Sequence, residues 1–382
     1  MSLPAIWGSG ITWGDFVWGD TTTSGRPVLY VAADGELLGE AYQARFRLGR
    51  SDWFEPMSPQ TASFSLVGTH PLAANTELIV TCGQGMLWKG YVDTATLQYV
   101  PGEPTRTMIT ATDIISRLGR TVKTQGRVYA GPTLQYRFFV VGSIKDPLVT
   151  YGDLVDVTEG YLAEYAADLS IEVVEGVSTG TLPTLADWYF DAPGPKPKKT
   201  LLELLNQAEL TSNALMSLQH DGSILVVPRA PSGLASVAMV DISSGASTWR
   251  KGRDTLYNRW VLEEPATNDN VVLDTSDAAS VLAYGERTYE VQDFLCTSAS
   301  HFGSAFRTAL ASPRWIAQYR LPVGDLSDPW LMLDPLQWVK DGSDIMQVIG
   351  VEHEVSVSDW IVTLDLDASQ DALNGATEPT PA

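Results

Sequence analysis

Cysteine, histidine and basic residues are scarce in this 382-residue chain, and each shortage narrows the functions open to it. Cysteine occurs twice, at Cys82 and Cys296, and neither lies in a CxxC arrangement. Two distant thiols do not make a disulfide framework, so buried free thiols in a protein made in a reducing cytoplasm are expected. Lys and Arg total 25 against 46 Asp and Glu, a formal charge of −21. That balance disfavours holding nucleic-acid phosphates or an anionic membrane surface by electrostatic attraction. It leaves room for a surface past which DNA slides without sticking. No apolar run approaches the ~18–20 residues needed to span a bilayer, so no membrane segment is expected. The start, Met1-Ser2-Leu3-Pro4-Ala5-Ile6-Trp7, has no basic cluster and no long apolar stretch, and no signal peptide is expected.

Reactive constellations are missing as well. His70, His220, His301 and His353 are widely spaced. His353-Glu354 has no second histidine four residues on and sits in a strand-like stretch, so a zincin helix is excluded. Gly8-Ser9-Gly10 lacks the third glycine of a dinucleotide fingerprint and the surrounding βαβ unit. There is no Walker-type phosphate loop and no Gly-x-Ser-x-Gly elbow. Asp274-Thr275-Ser276-Asp277 lacks the spacing and glycine of a calcium loop. Asp187 with Asp191, or Glu263-Glu264, could be drawn as a glycosidase pair, which needs two carboxylates ~5–10 Å apart across a cleft. Among 46 acidic residues a solvated surface accounts for such neighbours. No catalytic residue, cofactor site or metal site is expected.

What is present is a chain able to bury a core: 44% hydrophobic and 19% charged residues, enough for two to four domains at ~100–200 residues each. An arm at 1–25 repeats Trp7-Gly8, Trp13-Gly14 and Trp18-Gly19 among Gly, Ser, Thr and Asp. Gly this frequent disfavours a helix, and three large rings with few apolar neighbours must bury against something else. They cover either the chain's own first domain or a neighbouring subunit, which makes Trp7, Trp13 and Trp18 candidate subunit-interface anchors.

Residues 26–120 read as β. Tyr42, Ala44, Phe46 and Leu48 alternate with Gln43, Arg45 and Arg47, and Ala62, Phe64 and Leu66 alternate with Ser63 and Ser65. Segments 78–82 and 86–92 flank Gly83-Gln84-Gly85 as a hairpin, and a short helix over 113–119 follows the strand at 105–111. The stretch 121–235 is mixed. Thr200-Leu201-Leu202-Glu203 carries a capping-box signature before Leu201, Leu204, Leu205 and Ala208 at helical spacing, and Asp221-Gly222 marks a hairpin. Over 236–367 strands are expected at 256–263 and 315–323, a weaker one at 331–340 around Pro335, and a closing hairpin of 345–355 with 360–367. Phe302, Ala305, Phe306, Ala309 and Leu310 share a helical face. The segment 368–382 is small, polar and Pro-containing, and a frayed tail is expected.

Three segments in the last third resemble the tail-hub family of tailed phages, which includes baseplate-hub and tail-associated minor tail proteins. These are Thr255-Leu256-Tyr257-Asn258-Arg259-Trp260-Val261; Ala283-Tyr284-Gly285-Glu286-Arg287 with the following Ala-rich helix; and Asp344 through Glu354, with its Ile349-Gly350-Val351, returning as Trp360-Ile361-Val362-Thr363-Leu364-Asp365-Leu366. Ala62-Ser63-Phe64-Ser65-Leu66, Trp88-Lys89-Gly90-Tyr91-Val92-Asp93 and Ile109-Thr110-Ala111-Thr112-Asp113 resemble the opening domain of such hubs. The Trp-Gly-rich start resembles minor tail proteins of phages of actinobacteria.

The resemblance implies a mainly β chain with minor α: two tail-tube-like β-barrel domains, 26–120 and 236–367, joined by a mixed α+β middle region. It implies a structural, non-enzymatic role at the distal end of the virion tail, after synthesis in the host cytoplasm. The implied partners are sister copies in a homotrimer, a distal tail protein, a tape-measure protein and receptor-binding or tip proteins. DNA would pass only as transient, non-specific cargo. Many tail-associated relatives extend into a hydrolase or receptor module. Here the chain ends soon after the hub hairpin, so wall cleavage and receptor contact are expected in partner chains. Like charge lining a DNA channel would keep phosphates from sticking, and a good share of the −21 is expected to face it. Two other readings stay open. The 12 Trp and 14 Tyr fit a carbohydrate-active or carbohydrate-binding virion protein, although Trp88, Trp260, Trp315, Trp338 and Trp360 lie in strand-like stretches where core packing is the commoner use. A distal-tail protein of sixfold stoichiometry is the third.

Overall fold

A computed structural model describes residues 27–119, 125–130, 133–137, 154–176, 200–229, 239–263, 271–292, 294, 299–342 and 344–367. The Trp-Gly arm with Trp7, Trp13 and Trp18, Cys296, the carboxylates Asp187, Asp191 and Glu264, and the segment after 367 lie outside the described residues.

The first body is a closed ring of six strands. β1 (Tyr30–Ala33) turns into β2 (Glu36–Gly49) through Asp34-Gly35, both at positive φ as an Asp-Gly hairpin requires. β3 (Thr61–Val67), β4 (Glu77–Cys82), β5 (Gly85–Gln98) and β6 (Arg106–Asp113) complete it in the order β1-β4-β5-β6-β3-β2, and β1 pairs with both β4 and β2. The period-two pattern sets which face is inside: Ala44, Phe46, Leu48, Ala62, Phe64 and Leu66 are all buried, together with Val80, Trp88 and Ile109. Phe64 lies between Phe46 and Trp88, with ring centroids 6.2 and 5.7 Å away. Each such large apolar side chain contributes ~1.5–3 kcal/mol of burial. The short helix expected after β6 is a 3-10 helix over Ile114–Gly119.

The middle region holds a two-stranded hairpin of β7 (Gln125–Ala130) and β8 (Thr133–Arg137), then α1 (Leu154–Tyr165), β9 (Val173–Glu175), α2 (Leu201–Ser212), β10 (Ala214–Leu218) and β11 (Ile224–Pro228). The expected capping box is present: the Thr200 hydroxyl accepts the Glu203 N–H, and the Glu203 carboxylate accepts the Thr200 N–H. α2 buries Leu201, Leu204, Leu205 and Ala208. β10 and β11 form the Asp221-Gly222 hairpin, and β9 joins β11 in parallel.

The last third contains β12 (Val240–Asp241), β13 (Ala246–Lys251), β14 (Arg259–Glu263), β15 (Val271–Ser276), α3 (Ala278–Tyr284), β16 (Thr288–Val291), α4 (Ser304–Leu310), β17 (Trp315–Pro322), β18 (Trp338–Asp341), β19 (Asp344–Val355) and β20 (Trp360–Asp367). β14 to β16 make a separate three-stranded sheet inserted between β13 and β17. The remaining six strands run in the order β12-β18-β19-β20-β17-β13. Ranked by position along the chain, that is first-fourth-fifth-sixth-third-second, the strand order of the first body. One strand differs in direction: β1 is antiparallel to β4, whereas β12 runs parallel to β18. β12 and β13 therefore do not form a hairpin, and among the described residues no strand bridges them. The strand expected across Pro335 begins only at Trp338, after a 3-10 turn over Pro329–Met332. Leu336 sits at φ 71° where the chain turns.

Candidate assembly surface

The two bodies join edge to edge by a strand pairing, the seam. The outer half of β2 pairs antiparallel with the outer half of β19, from Ala44 opposite Val355 to Gly49 opposite Gly350. One continuous band of eight strands results: β5-β6-β3-β2-β19-β20-β17-β13.

The facing glycines set how closely the bodies approach. A Cβ on Gly49 would lie 2.3 Å from the Ile349 carbonyl oxygen, and its φ of +83° suits glycine alone. A Cβ on Gly350 would lie 2.5 Å from the Arg50 carbonyl oxygen. On the core side of the seam Phe46 stacks on His353, with Nδ1 of that imidazole accepting the Trp360 indole N–H at 3.3 Å. Burial, reinforced by the neighbouring His220, holds His353 well below the ordinary imidazole range, so it is neutral. On the solvent side Arg45 bonds the Glu352 carboxylate, and Arg47 reaches Asp365 at 2.6 Å and Glu352 at 3.7 Å. The basic outer half of β2 therefore meets the acidic outer half of β19.

Cross-strand register assigns the rest of this outward face. Arg45 lies opposite Ser63, which lies opposite Thr110, which lies opposite Thr94. Arg47 lies opposite Glu352, then Thr363, Arg320 and Ala246. The face is hydroxyl-rich, with Arg45, Arg47, Arg106, Arg250 and Arg320 set against Asp93, Glu352, Glu354 and Asp365. A shallow groove crosses it between Glu352, Arg45, Ser63, Thr110 and Asp93.

The middle region and the inserted sheet brace the seam from behind. Arg50, just past Gly49, forms a buried ion pair with Glu209 of α2 at 2.8 Å and donates to the Glu55 carbonyl at 2.6 Å. Glu209 also accepts the Met216 N–H at 2.9 Å. Arg229 donates to the Trp53 carbonyl at 2.9 Å, and the Trp53 indole donates to Gln347 of β19 at 3.1 Å. Phe54 projects into an aromatic cluster with Tyr257, Trp260 and Tyr289. Arg314 pairs with Asp367 at 2.6 Å, both buried.

Asn258 ties together two of the segments that suggested a tail protein. Its amide donates to the Gly285 carbonyl at 2.8 Å and accepts the Arg287 N–H at 2.8 Å. This asparagine closes the inserted sheet and holds no reactive group.

The fold brings His220 and His353 together, ring centroids 5.7 Å apart, while His70 and His301 lie elsewhere. His70 lies beside the Val67 carbonyl, His220 beside Asp334 at 3.0 Å, and His301 beside the Thr211 carbonyl. Among the described residues no three His, Cys, Asp or Glu side chains group as metal ligands. No described helix is long and apolar enough to cross a membrane. Trp88, Trp260, Trp338 and Trp360 are buried, where they cannot stack on a sugar; Trp315 is half-buried.

The arrangement of strands has known counterparts. The chain aligns over 93% of its length with the whole of the 43 kDa tail protein of prophage MuSo2 from Shewanella oneidensis, at 12% identity and TM-score 0.57. It aligns over 91% with 99% of a tail protein from Neisseria meningitidis MC58, at 13% identity and TM-score 0.60. Prophage tail protein gp18 from Listeria monocytogenes EGD-e aligns over 88% of this chain and 94% of its own, at 12% identity and TM-score 0.50. No family model and no curated protein matches the sequence. The fold is that of phage tail proteins. Within that class it is a mainly β chain whose first barrel is closed and whose second set of strands repeats the same order.

The seam residues could have been foreseen only in part. The alternation of Arg45 and Arg47 with Ala44, Phe46 and Leu48 gives their outward direction. Nothing local gives their partners, since Glu352 and Asp365 lie some three hundred residues on.

Proposed function

We propose that this chain is a structural minor tail protein forming the hub at the distal end of a phage tail tube. Three copies adapt a sixfold tube to a threefold tip and let DNA pass during ejection. The observation that carries this reading is the repeated strand order in one continuous band. A chain with two units of the same strand order presents six such units when three copies meet, which is the count a sixfold neighbour requires. The likeness to phage tail proteins along nearly the whole chain supports it.

In this reading 26–120 and 236–367 are the two barrel domains and 121–235 braces them. The outward face of the band lines the channel. Arg45, Arg47, Arg106 and Arg250 on this face are each paired with a carboxylate, which lowers their attraction for phosphates. Sister copies, a distal tail protein, a tape-measure protein and tip proteins are the partners, and Trp7, Trp13 and Trp18 anchor the arm on a neighbour.

Electron microscopy of the intact particle tests this directly. The expected result is three copies at the distal end of the tube, coaxial with it. Density for the chain on the capsid, or six copies at that level, would sink the proposal.

A further inference from the structure

We infer that the β5–β6 hairpin is a docking element for a different protein of the tail, one that presents an apolar groove with a basic rim, one groove per copy of this chain. Beyond Val92 this hairpin leaves the barrel core. Val67, Leu97, Tyr99, Val100 and Met108 lie on it or against it, and all are exposed. They are nearly half of the large apolar side chains exposed among the described residues, and Tyr99, near the tip, is 73% exposed. Register places them on both faces of the hairpin. Met108 lies opposite Ser65 and Thr96, and Val67 opposite Arg106, on the outward face; Leu97 lies opposite the buried Thr107, on the core side. Apolar surface gathered in one place on a soluble protein marks an interaction site.

The hairpin projects as a rigid unit. Val100-Pro101-Gly102-Glu103 has the Pro-Gly signature of a type II turn: Gly102 takes φ +88°, and the Val100 carbonyl accepts the Glu103 N–H at 3.0 Å. At the base the Gly68 N–H donates to the Thr105 carbonyl at 2.8 Å. The Thr107 hydroxyl donates to the Gly68 carbonyl at 2.9 Å and accepts the His70 N–H at 3.0 Å. Arg106 lies over the Tyr42 ring, 4.4 Å from its centroid, and pairs with Glu103 at 3.1 Å. A tip already held in one conformation loses little entropy when a partner closes on it.

The second unit tells which kind of partner fits. Its equivalent hairpin, fifth strand with sixth, is β19–β20. Antiparallel pairing through β6, β3, β2 and β19 puts both turns at the same end of the band. There β19 returns at once through Ser356-Val357-Ser358-Asp359, with the Ser356 N–H donating to the Asp359 carbonyl at 2.7 Å, and Val357 is the exposed apolar residue. A partner that met both units alike could use only features they share. The apolar hairpin occurs once per chain, so the partner supplies one groove per chain. Apolar side chains on two faces need a groove that closes around the hairpin. A lipid bilayer fits less well, because the half-exposed Glu103 carboxylate would have to enter it beside Tyr99. A protein rim can meet that carboxylate with a cation, and a basic rim complements a chain of formal charge −21.

The full-length chain with a benzophenone-bearing phenylalanine in place of Tyr99 is supplied to particles lacking the parent chain, and the assembled particles are irradiated. The expected result is a covalent adduct with one other tail protein, identified by its linked peptides. The same probe in place of Val357 should not give that adduct. In parallel, Leu97→Asn combined with Tyr99→Ser should lower incorporation into particles about tenfold or more. Thermal melting confirms that the double variant folds. Adducts to sister copies alone or to lipid alone, no adduct at all, or incorporation indifferent to the double variant, overturns the proposal. Three copies at the distal end without the adduct would overturn this contact and leave the hub reading standing. Six copies at that level with the adduct present would retain the contact and overturn the hub.

Discussion

The Phe46 ring and the His353 imidazole lie face to face, centroids 4.7 Å apart and planes within 9°, across the strand pairing that joins the two bodies. The imidazole is fully buried and its Nε2 has no hydrogen-bond partner among the described residues, so a proton there would be a charge without compensation. Its folded pKa is far below the ordinary 6.5, through burial first and His220 second. In the unfolded chain the same group binds a proton as pH falls through about 6.5. Its contribution to stability is therefore full above that pH and is lost progressively below it. Burial lowers His301 in the same direction. Thermal unfolding across pH 5 to 8 should show this loss, and His353→Gln should flatten it. A His353→Gln variant with an unchanged acid limb would refute the assignment.

Some of this was legible beforehand and some was not. Strands, hairpins and the capping box follow from period-two alternation, Asp-Gly turns and Thr200 with Glu203, because those signals act within a few residues. The barrel cores follow too, since Ala62, Phe64 and Leu66 had only one buried face to share. The seam did not, because pairing Phe46 with His353 is a choice among strands that local pattern cannot make. The separate sheet of β14 to β16 was also hidden: only the strand at 256–263 was expected, and its pairing with Val271–Ser276 and Thr288–Val291 is non-local. That β12 and β13 do not pair follows, among the described residues, from the direction of one two-residue strand, below the reach of any periodicity.

Gly350 stands opposite Gly49 where the bodies come closest. A methyl group at either position meets backbone, at 2.5 Å for Gly350 and 2.3 Å for Gly49, and backbone cannot swing aside as a side chain can. Gly350→Ala should cost about 1–3 kcal/mol, the range for overpacking, and Gly49→Ala more because its positive φ adds strain. Urea unfolding measures both. A control, Gly102→Ala, has open space around its Cβ but also a positive φ, so it should cost less than either.

Arg50 and Glu209 are each almost fully buried and hold the middle region against the end of β2. Truncating one partner strands the other charge, so Glu209→Ala should cost about 3–5 kcal/mol. Replacing both, Arg50→Met with Glu209→Leu, should recover much of that loss, since neither desolvated charge remains. The comparison is made by chemical denaturation of the two single variants and the double. A double variant no more stable than the worse single would mean the hydrogen bonds to Glu55 and Met216 matter more than the charges.

Asp113 closes the first barrel at the end of β6, buried, with its carboxylate accepting the N–H groups of Gln60 and Ile115 at 3.1 Å each. Burial outweighs those bonds and pushes its pKa up to about 7. The folded protein thus holds a proton between the ordinary 3.8 and about 7 that the unfolded chain has released. Stability attributable to this group falls as pH rises through that window, opposite in sign to the His353 effect. Asp113→Asn keeps an acceptor oxygen and removes the titration. The variant should gain stability relative to the parent at pH 8 and lose that advantage at pH 5, read as the difference in melting temperature at the two values. A constant difference across that range would mean that Asp113 is not titrating in the folded barrel.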